Sequence, residues 1–223
     1  MRWTLPNTLT ILRLLAAPGL AVMFLYFNRP WADWLALALF VGAAVTDWFD
    51  GYLARLWKQE SKLGAMLDPI ADKAMVVIAL LILTGYSGMN PWLILPATVI
   101  LFREVFVSGL REYLGAKAGL LKVTKLAKWK TTLQMVAISV LFLATGIDVV
   151  HQNRLRVLEP AQYERLLASG AQDFNTVWLA AQSGWYAGMT GLFLIWIAAI
   201  LTLLTGWEYF VKSMPYLRDE GAG

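Results

Sequence analysis

Long apolar stretches alternate with short polar ones along this chain. Uncharged runs span Leu14–Asn28, Trp34–Thr46, Ala74–Phe102, Thr131–Ile147 and Phe174–Trp207. A helix that crosses a bilayer needs about 20 largely apolar residues. The third run is too long for one crossing, and Gly85-Tyr86-Ser87-Gly88-Met89-Asn90-Pro91 supplies a turn in its middle. The pattern predicts an all-α polytopic membrane protein of six transmembrane helices, near 8–27, 32–55, 68–86, 91–114, 127–147 and 183–207. A single domain, 1–223, is expected, with no tandem repeat or low-complexity tract.

Six crossings return the chain to the side it started from. That side carries twelve Lys and Arg, against four on the other: Arg29, Arg154, Arg156 and Arg165. The positive-inside rule therefore predicts both termini in the cytoplasm. Residues 148–182 become a long external segment whose mixture of Leu, Arg, Glu and Gln suggests an interfacial amphipathic piece. The N-terminus places Arg13 inside its apolar stretch and offers no small-residue cleavage site, so it reads as a retained first helix. Arg218–Gly223 is expected to fray.

Composition strengthens this picture: 59% of the residues are hydrophobic and 15% charged. Eleven Trp suit a protein with two membrane–water interfaces. The absence of Cys excludes disulfides, thiolate metal sites and a cysteine nucleophile. A net charge of +4 beside membrane segments points to lipid headgroups and anionic substrates. No soluble basic face is present to bind nucleic acid.

The informative charges are acidic. The second helix ends Thr46-Asp47-Trp48-Phe49-Asp50-Gly51, and the third begins Leu67-Asp68-Pro69-Ile70-Ala71-Asp72-Lys73. Asp47 and Asp50 are three apart and Asp68 and Asp72 four apart, so each pair shares a helix face. Both pairs sit at the cytoplasmic ends of consecutive antiparallel helices. Four clustered carboxylates repel, and hard divalent cations, two of them in much phosphoryl chemistry, answer that repulsion. The bland alternative is capping or pairing: Asp68 before Pro69 suits an N-cap, and Lys73, Arg55 and Lys58 are at hand. Capping explains one such aspartate more easily than four, because charge at this depth is costly.

Written out, Asp47 to Asp72 reads D-x2-D-G-x2-A-R-x8-G-x3-D-x3-D. This resembles the signature of the CDP-alcohol phosphatidyltransferase family at all eight fixed positions. The resemblance implies a six-helix membrane enzyme, commonly a homodimer, that displaces CMP from a CDP-linked donor. It implies Asp47, Asp50 and Asp68 as ligands of Mg2+ or Mn2+, and Asp72 as general base that also touches the second ion. Gly51 and Arg55 would bind the CDP portion, with Ser61 near the diphosphate. Asn7 and Thr10, in Pro6-Asn7-Thr8-Leu9-Thr10-Ile11-Leu12-Arg13, would approach the cytidine.

Arg103-Glu104-x3-Ser108-x-Leu110-Arg111-Glu112 and Lys128-Trp129-Lys130-Thr131-x2-Gln134 are similar to the bacterial branch of the family that makes phosphatidylglycerophosphate. That branch implies CDP-diacylglycerol as donor, sn-glycerol 3-phosphate as acceptor, and a bacterial cytoplasmic membrane. Arg103 and Arg111 are eight apart and share one helix face; with Lys128 and Lys130 they are candidates for the acceptor phosphate. Glu104 would orient one of them or pair with Lys73. Lys117, Lys122 and Lys125 fit topology and anionic-lipid attraction, and His151 a solvated surface. The rival readings are cardiolipin, phosphatidylserine or phosphatidylinositol phosphate synthesis, and a divalent-metal transporter. Against a transporter, no second set of carboxylates continues a path across the bilayer.

Overall fold

The computed structural model describes residues 5–57, 62–120, 125–157, 164 and 177–217. Among them the chain is helical: α1 (Leu5–Tyr26), α2 (Trp31–Trp57), α3 (Lys62–Tyr86), α4 (Pro91–Leu114), a 3-10 turn (Gly115–Leu120), α5 (Lys125–Val157) and α6 (Val177–Leu217). The helices distribute over two compact units, one of Met1–Leu83 with Ile138–Gly191, the other of Thr84–Ala137 with Leu192–Gly223.

In the first unit α1 and α2 form an antiparallel hairpin. Asn7, Thr10, Arg13, Ala17, Leu20 and Phe24 are buried, the 3–4 spacing of one helix face. The far end of that face is apolar, and Phe24 and Phe40 both meet Phe142 of α5, with ring centroids 5.9 and 5.8 Å apart. The near end is polar and faces charge. The α5–α6 contact runs antiparallel, with Gly184 against Ile147, Gly188 against Ala144 and Gly191 against Leu141. A Cβ on Gly191 would stand 2.8 Å from the Leu141 side chain and 3.3 Å from its backbone nitrogen, so the approach depends on glycine. Small residues at such spacing are how membrane helices come close enough to gain packing energy. Away from the aspartates, Arg29 pairs with the wholly buried Asp33. Gly146 leaves room there, since a Cβ would lie 3.3 Å from Asp33 Cβ.

In the second unit the turn expected between α3 and α4 is present. Asn90 caps α4, its side chain accepting from the Trp92 amide at 3.0 Å, and Pro91 follows where a missing N–H costs nothing. α4 and α6 lie side by side in parallel. Trp196 Nε1 donates to the Trp92 carbonyl at 2.9 Å, Phe106 meets Phe210 at 5.7 Å, and Lys117 sits 6.0 Å above the Tyr216 ring. Val107, Leu114 and Tyr209 form the buried seam, with Leu110 against it.

Three helices have ends that differ from expectation. α3 begins at Lys62, so Asp68 lies inside the helix and is not its N-cap. Pro69 removes only its own bond to the preceding turn, and the helix continues through it. α5 runs on to Val157 instead of ending near 147, and α6 spans Val177–Leu217 instead of 183–207. Hydropathy marks where a bilayer ends, whereas a helix continues for as long as its backbone bonds are satisfied. At 33 and 41 residues, α5 and α6 are roughly 50 and 60 Å long. The hydrocarbon layer is about 30 Å thick. Among the described residues, Asn7–Tyr26, Pro91–Leu114, Trp129–Val157 and Ala181–Leu217 are long and apolar enough to cross a membrane. α2 and α3, at 27 and 25 residues, carry the aspartates.

Candidate active site

Three of the four signature aspartates meet one face of α1. Thr10 Oγ1 donates to Asp68 Oδ1 at 2.7 Å. One turn further on, Arg13 Nη1 donates to Asp72 Oδ1 at 3.0 Å and also to Asp47 Oδ1. These contacts make α1 and α3 run parallel, with α2 antiparallel to α1. The Arg13 side chain is 1% exposed, whereas those of Asp47 and Asp72 are 42% and 37% exposed. The guanidinium is therefore sealed behind carboxylates that remain open on their other side. Asp47, Asp68 and Asp72 set against Arg13 leave a surplus of two negative charges among these side chains.

The donor chemistry suits a hard divalent cation: carboxylate oxygens from two helices, partly open, and short of positive charge. Among the described residues no group of three Asp, Glu or His side chains is gathered closely enough to hold a metal ion. Asp50 and Arg55 lie on α2 with their side chains outside those described, and Gly51 lies between them on the same helix; Ser61 falls outside the described residues altogether. Asn7 is buried on the same α1 face, one turn before Thr10.

The second unit holds a cluster of opposite sign. Glu104 Oε1 accepts from Arg103 Nη1 at 2.9 Å and from Lys130 Nζ at 2.6 Å. All three side chains are largely buried, and the charge of Arg111 also reaches Lys130. Arg111 itself is exposed, its guanidinium 5.3 Å above the Tyr209 ring. The stem of Arg103 lies on Gly206 of α6, where an added Cβ would come within 2.8 Å of Arg103 Cγ. Lys128 is in α5, with its side chain outside those described. An apolar groove of about 460 Å³ borders the Arg103 stem, lined by Phe102, Phe106, Leu203, Leu204, Trp207 and Phe210.

Residues 3–211 match the profile of the CDP-alcohol phosphatidyltransferase family. The chain belongs to that family. Named relatives align along nearly the whole chain. A Cereibacter sphaeroides protein named CDP-diacylglycerol–glycerol-3-phosphate 3-phosphatidyltransferase is 69% identical, over 99% of this chain and 100% of its own length. Proteins of the same name from Rickettsia bellii and Escherichia coli K12 are 37% and 31% identical. They cover 95% and 99% of this chain, and 96% and 100% of their own lengths.

The signature of this transferase family thus falls where the structure gathers Asp47, Asp68 and Asp72. Arg13 is the residue that spacing alone leaves out of the site. The available signal is a charge within the first apolar helix, which is costly unless something answers it. Glu104 holds Arg103, as expected, and Lys130 is a second cation on the same oxygen. Gly206 is a further residue without a sequence signal, because its role lies in making space for Arg103.

Proposed function

We propose that this chain transfers the phosphatidyl group of CDP-diacylglycerol to sn-glycerol 3-phosphate, releasing CMP and phosphatidylglycerophosphate. It does so in a bacterial cytoplasmic membrane, as a six-span protein with both termini and the aspartates on the cytoplasmic side. The full-length likeness to relatives named for this reaction supports it. The observation that carries the choice of acceptor is the cation content of the second unit, where the largely buried Arg103 and Lys130 share the Glu104 carboxylate and Arg111 lies exposed on Tyr209 nearby. Such a cluster suits an acceptor bearing a phosphate dianion. It would be wasted on serine or on an uncharged polyol, since buried cations are stable only when answered.

In this reading Asp47, Asp50 and Asp68 would hold Mg2+ or Mn2+, and Asp72 would also touch a second ion. When bound, the ions neutralise the donor diphosphate and polarise the phosphorus under attack. Asp72 takes the proton from the attacking primary hydroxyl of the acceptor. The new P–O bond forms as the bond between the two donor phosphorus centres' bridging oxygen and the phosphatidyl phosphorus breaks. CMP departs with the electron pair, its charge met by Arg55. Asn7, Thr10, Gly51 and Ser61 seat the nucleotide end of the donor, while Arg103, Arg111, Lys128 and Lys130 hold the acceptor phosphate. Positioning and electrostatics supply most of the rate.

The test is an acceptor screen. Purified protein receives CDP-diacylglycerol, Mg2+ or Mn2+, and one of glycerol 3-phosphate, serine, inositol phosphate or phosphatidylglycerol, and CMP is measured. CMP release with glycerol 3-phosphate alone is expected. Equal or greater release with another acceptor would assign the chain to a sister activity.

A further inference from the structure

The chemistry described above makes no use of Arg13, yet this arginine is the most deeply buried charge at the aspartates. A single nitrogen, Nη1, donates to Asp47 on α2 and, at 3.0 Å, to Asp72 on α3. The side chain is 1% exposed and comes from the middle of an apolar helix. Thr10, one turn earlier on the same face, holds Asp68 at 2.7 Å.

A cation this deep is expensive, and a neutral pair is the simplest way to keep one. Arg29 and Asp33 form such a pair. Arg13 is different, because one guanidinium is divided between two acids that belong to separate helices and remain partly open. We infer that Arg13 is a positioning residue, a built-in counter-ion that fixes Asp72 relative to Asp47 before substrate arrives. This rests on the reading of Asp72 as base and Asp47 as ion ligand.

Two consequences follow, with opposite signs. A fixed positive charge repels a divalent ion, so removing it leaves the carboxylates more attractive to that ion. The same removal frees the Asp72 carboxylate to turn, and a misplaced base loses rate. A residue that served only to hold the helices together would lose ion binding and rate in step.

The experiment uses the full-length protein in lipid nanodiscs, as wild type, Arg13→Gln and Arg13→Lys. Mn2+ binding without substrate is followed by electron paramagnetic resonance, and CMP release gives kcat and both KM values. Arg13→Gln is expected to bind Mn2+ at least as tightly as wild type while kcat falls on the order of 100-fold. Both KM values should stay within about threefold, the mark of an interaction made in the transition state. Arg13→Lys keeps the charge but not the planar fork, so its kcat should lie between, roughly tenfold below wild type, with Mn2+ affinity unchanged. Mn2+ affinity that falls in parallel with kcat would reduce Arg13 to a scaffold and overturn the inference. So would an unchanged kcat in Arg13→Gln. If Arg13→Gln does not fold, Arg13→Lys decides: wild-type kcat, or weakened Mn2+ binding, overturns the inference. A wild-type protein that binds Mn2+ but releases no CMP from these substrates would instead sink the proposed reaction.

Discussion

In the first unit one guanidinium, Arg13, is shared by two carboxylates, Asp47 and Asp72; in the second, one carboxylate, Glu104, is shared by two cations, Arg103 and Lys130. Each cluster is tied together by a single group of the minority sign. Among the described side chains that make these ion pairs, the first cluster leans negative and the second positive. The pair Arg29–Asp33 supplies the contrast, since it is balanced, its carboxylate is fully buried, and it closes the α1–α2 turn. An apolar protein that retains unbalanced charge is keeping it for something that arrives later. In the proposed reaction the sign of each surplus matches its ligand: divalent cations would bind at the aspartates and an anion at Glu104.

The largest expected effect tests the negative surplus. Chelation should abolish CMP release, and Mg2+ or Mn2+ should restore it; activity that survives exhaustive chelation would remove the need for a cation there. Next, Asp72→Asn should lower kcat by about 10²–10⁴-fold, the range for loss of a general base. Donor binding, read by equilibrium dialysis with a labelled CDP-lipid, should persist. Full activity in that variant would break the division of labour among the aspartates.

The positive cluster predicts smaller, more selective losses. Arg103→Ala or Arg111→Ala should raise KM for glycerol 3-phosphate by roughly 10–100-fold, as expected for one charge-assisted hydrogen bond of about 1.5–3 kcal/mol. KM for the donor should move much less, and the opposite pattern would misplace the acceptor. Gly206→Ala, which touches no substrate in this scheme, should push the Arg103 stem aside and raise the same KM about fivefold, the effect of about 1 kcal/mol of overpacking. The balanced pair should matter least to chemistry. Arg29→Ala leaves Asp33 buried and alone, so thermal unfolding should show a loss of about 3 kcal/mol. Its kcat per folded molecule should stay at the wild-type value, and a kcat loss would give that pair a role at the site.

Much of this was legible along the chain. Spacing alone put Asp47 with Asp50 and Asp68 with Asp72, and the structure brings Asp47, Asp68 and Asp72 against α1. The turn at Gly85–Pro91 was readable because Asn and Pro impose their own backbone chemistry. What periodicity does not reveal is the partner across a long separation. Arg13 lies 34 and 59 positions from its two acids, and Lys130 lies 26 from Glu104. Gly184-x3-Gly188 is a visible small-residue pattern, but nothing in it says that α5 is the helix it admits. The ends of α5 and α6 are not legible for another reason, because apolar content reports the solvent around a helix and not its hydrogen bonds.

The parallel α4–α6 seam also sets an order of construction. Arg103 leaves the ribosome well before Gly206, the residue its stem will rest on, 103 positions later in the chain. At typical elongation rates of about 5–20 residues per second, that gap is roughly 5–20 s. During it, Arg103 on α4 lacks the α6 surface on which its stem rests. Completion of the second unit is therefore expected only once α6 has been made, since residues 192–217 belong to it. A chain arrested before residue 192 should leave Arg103 open to guanidine-directed labelling, and full-length protein should protect it; equal labelling of both would show that α6 is not what encloses it.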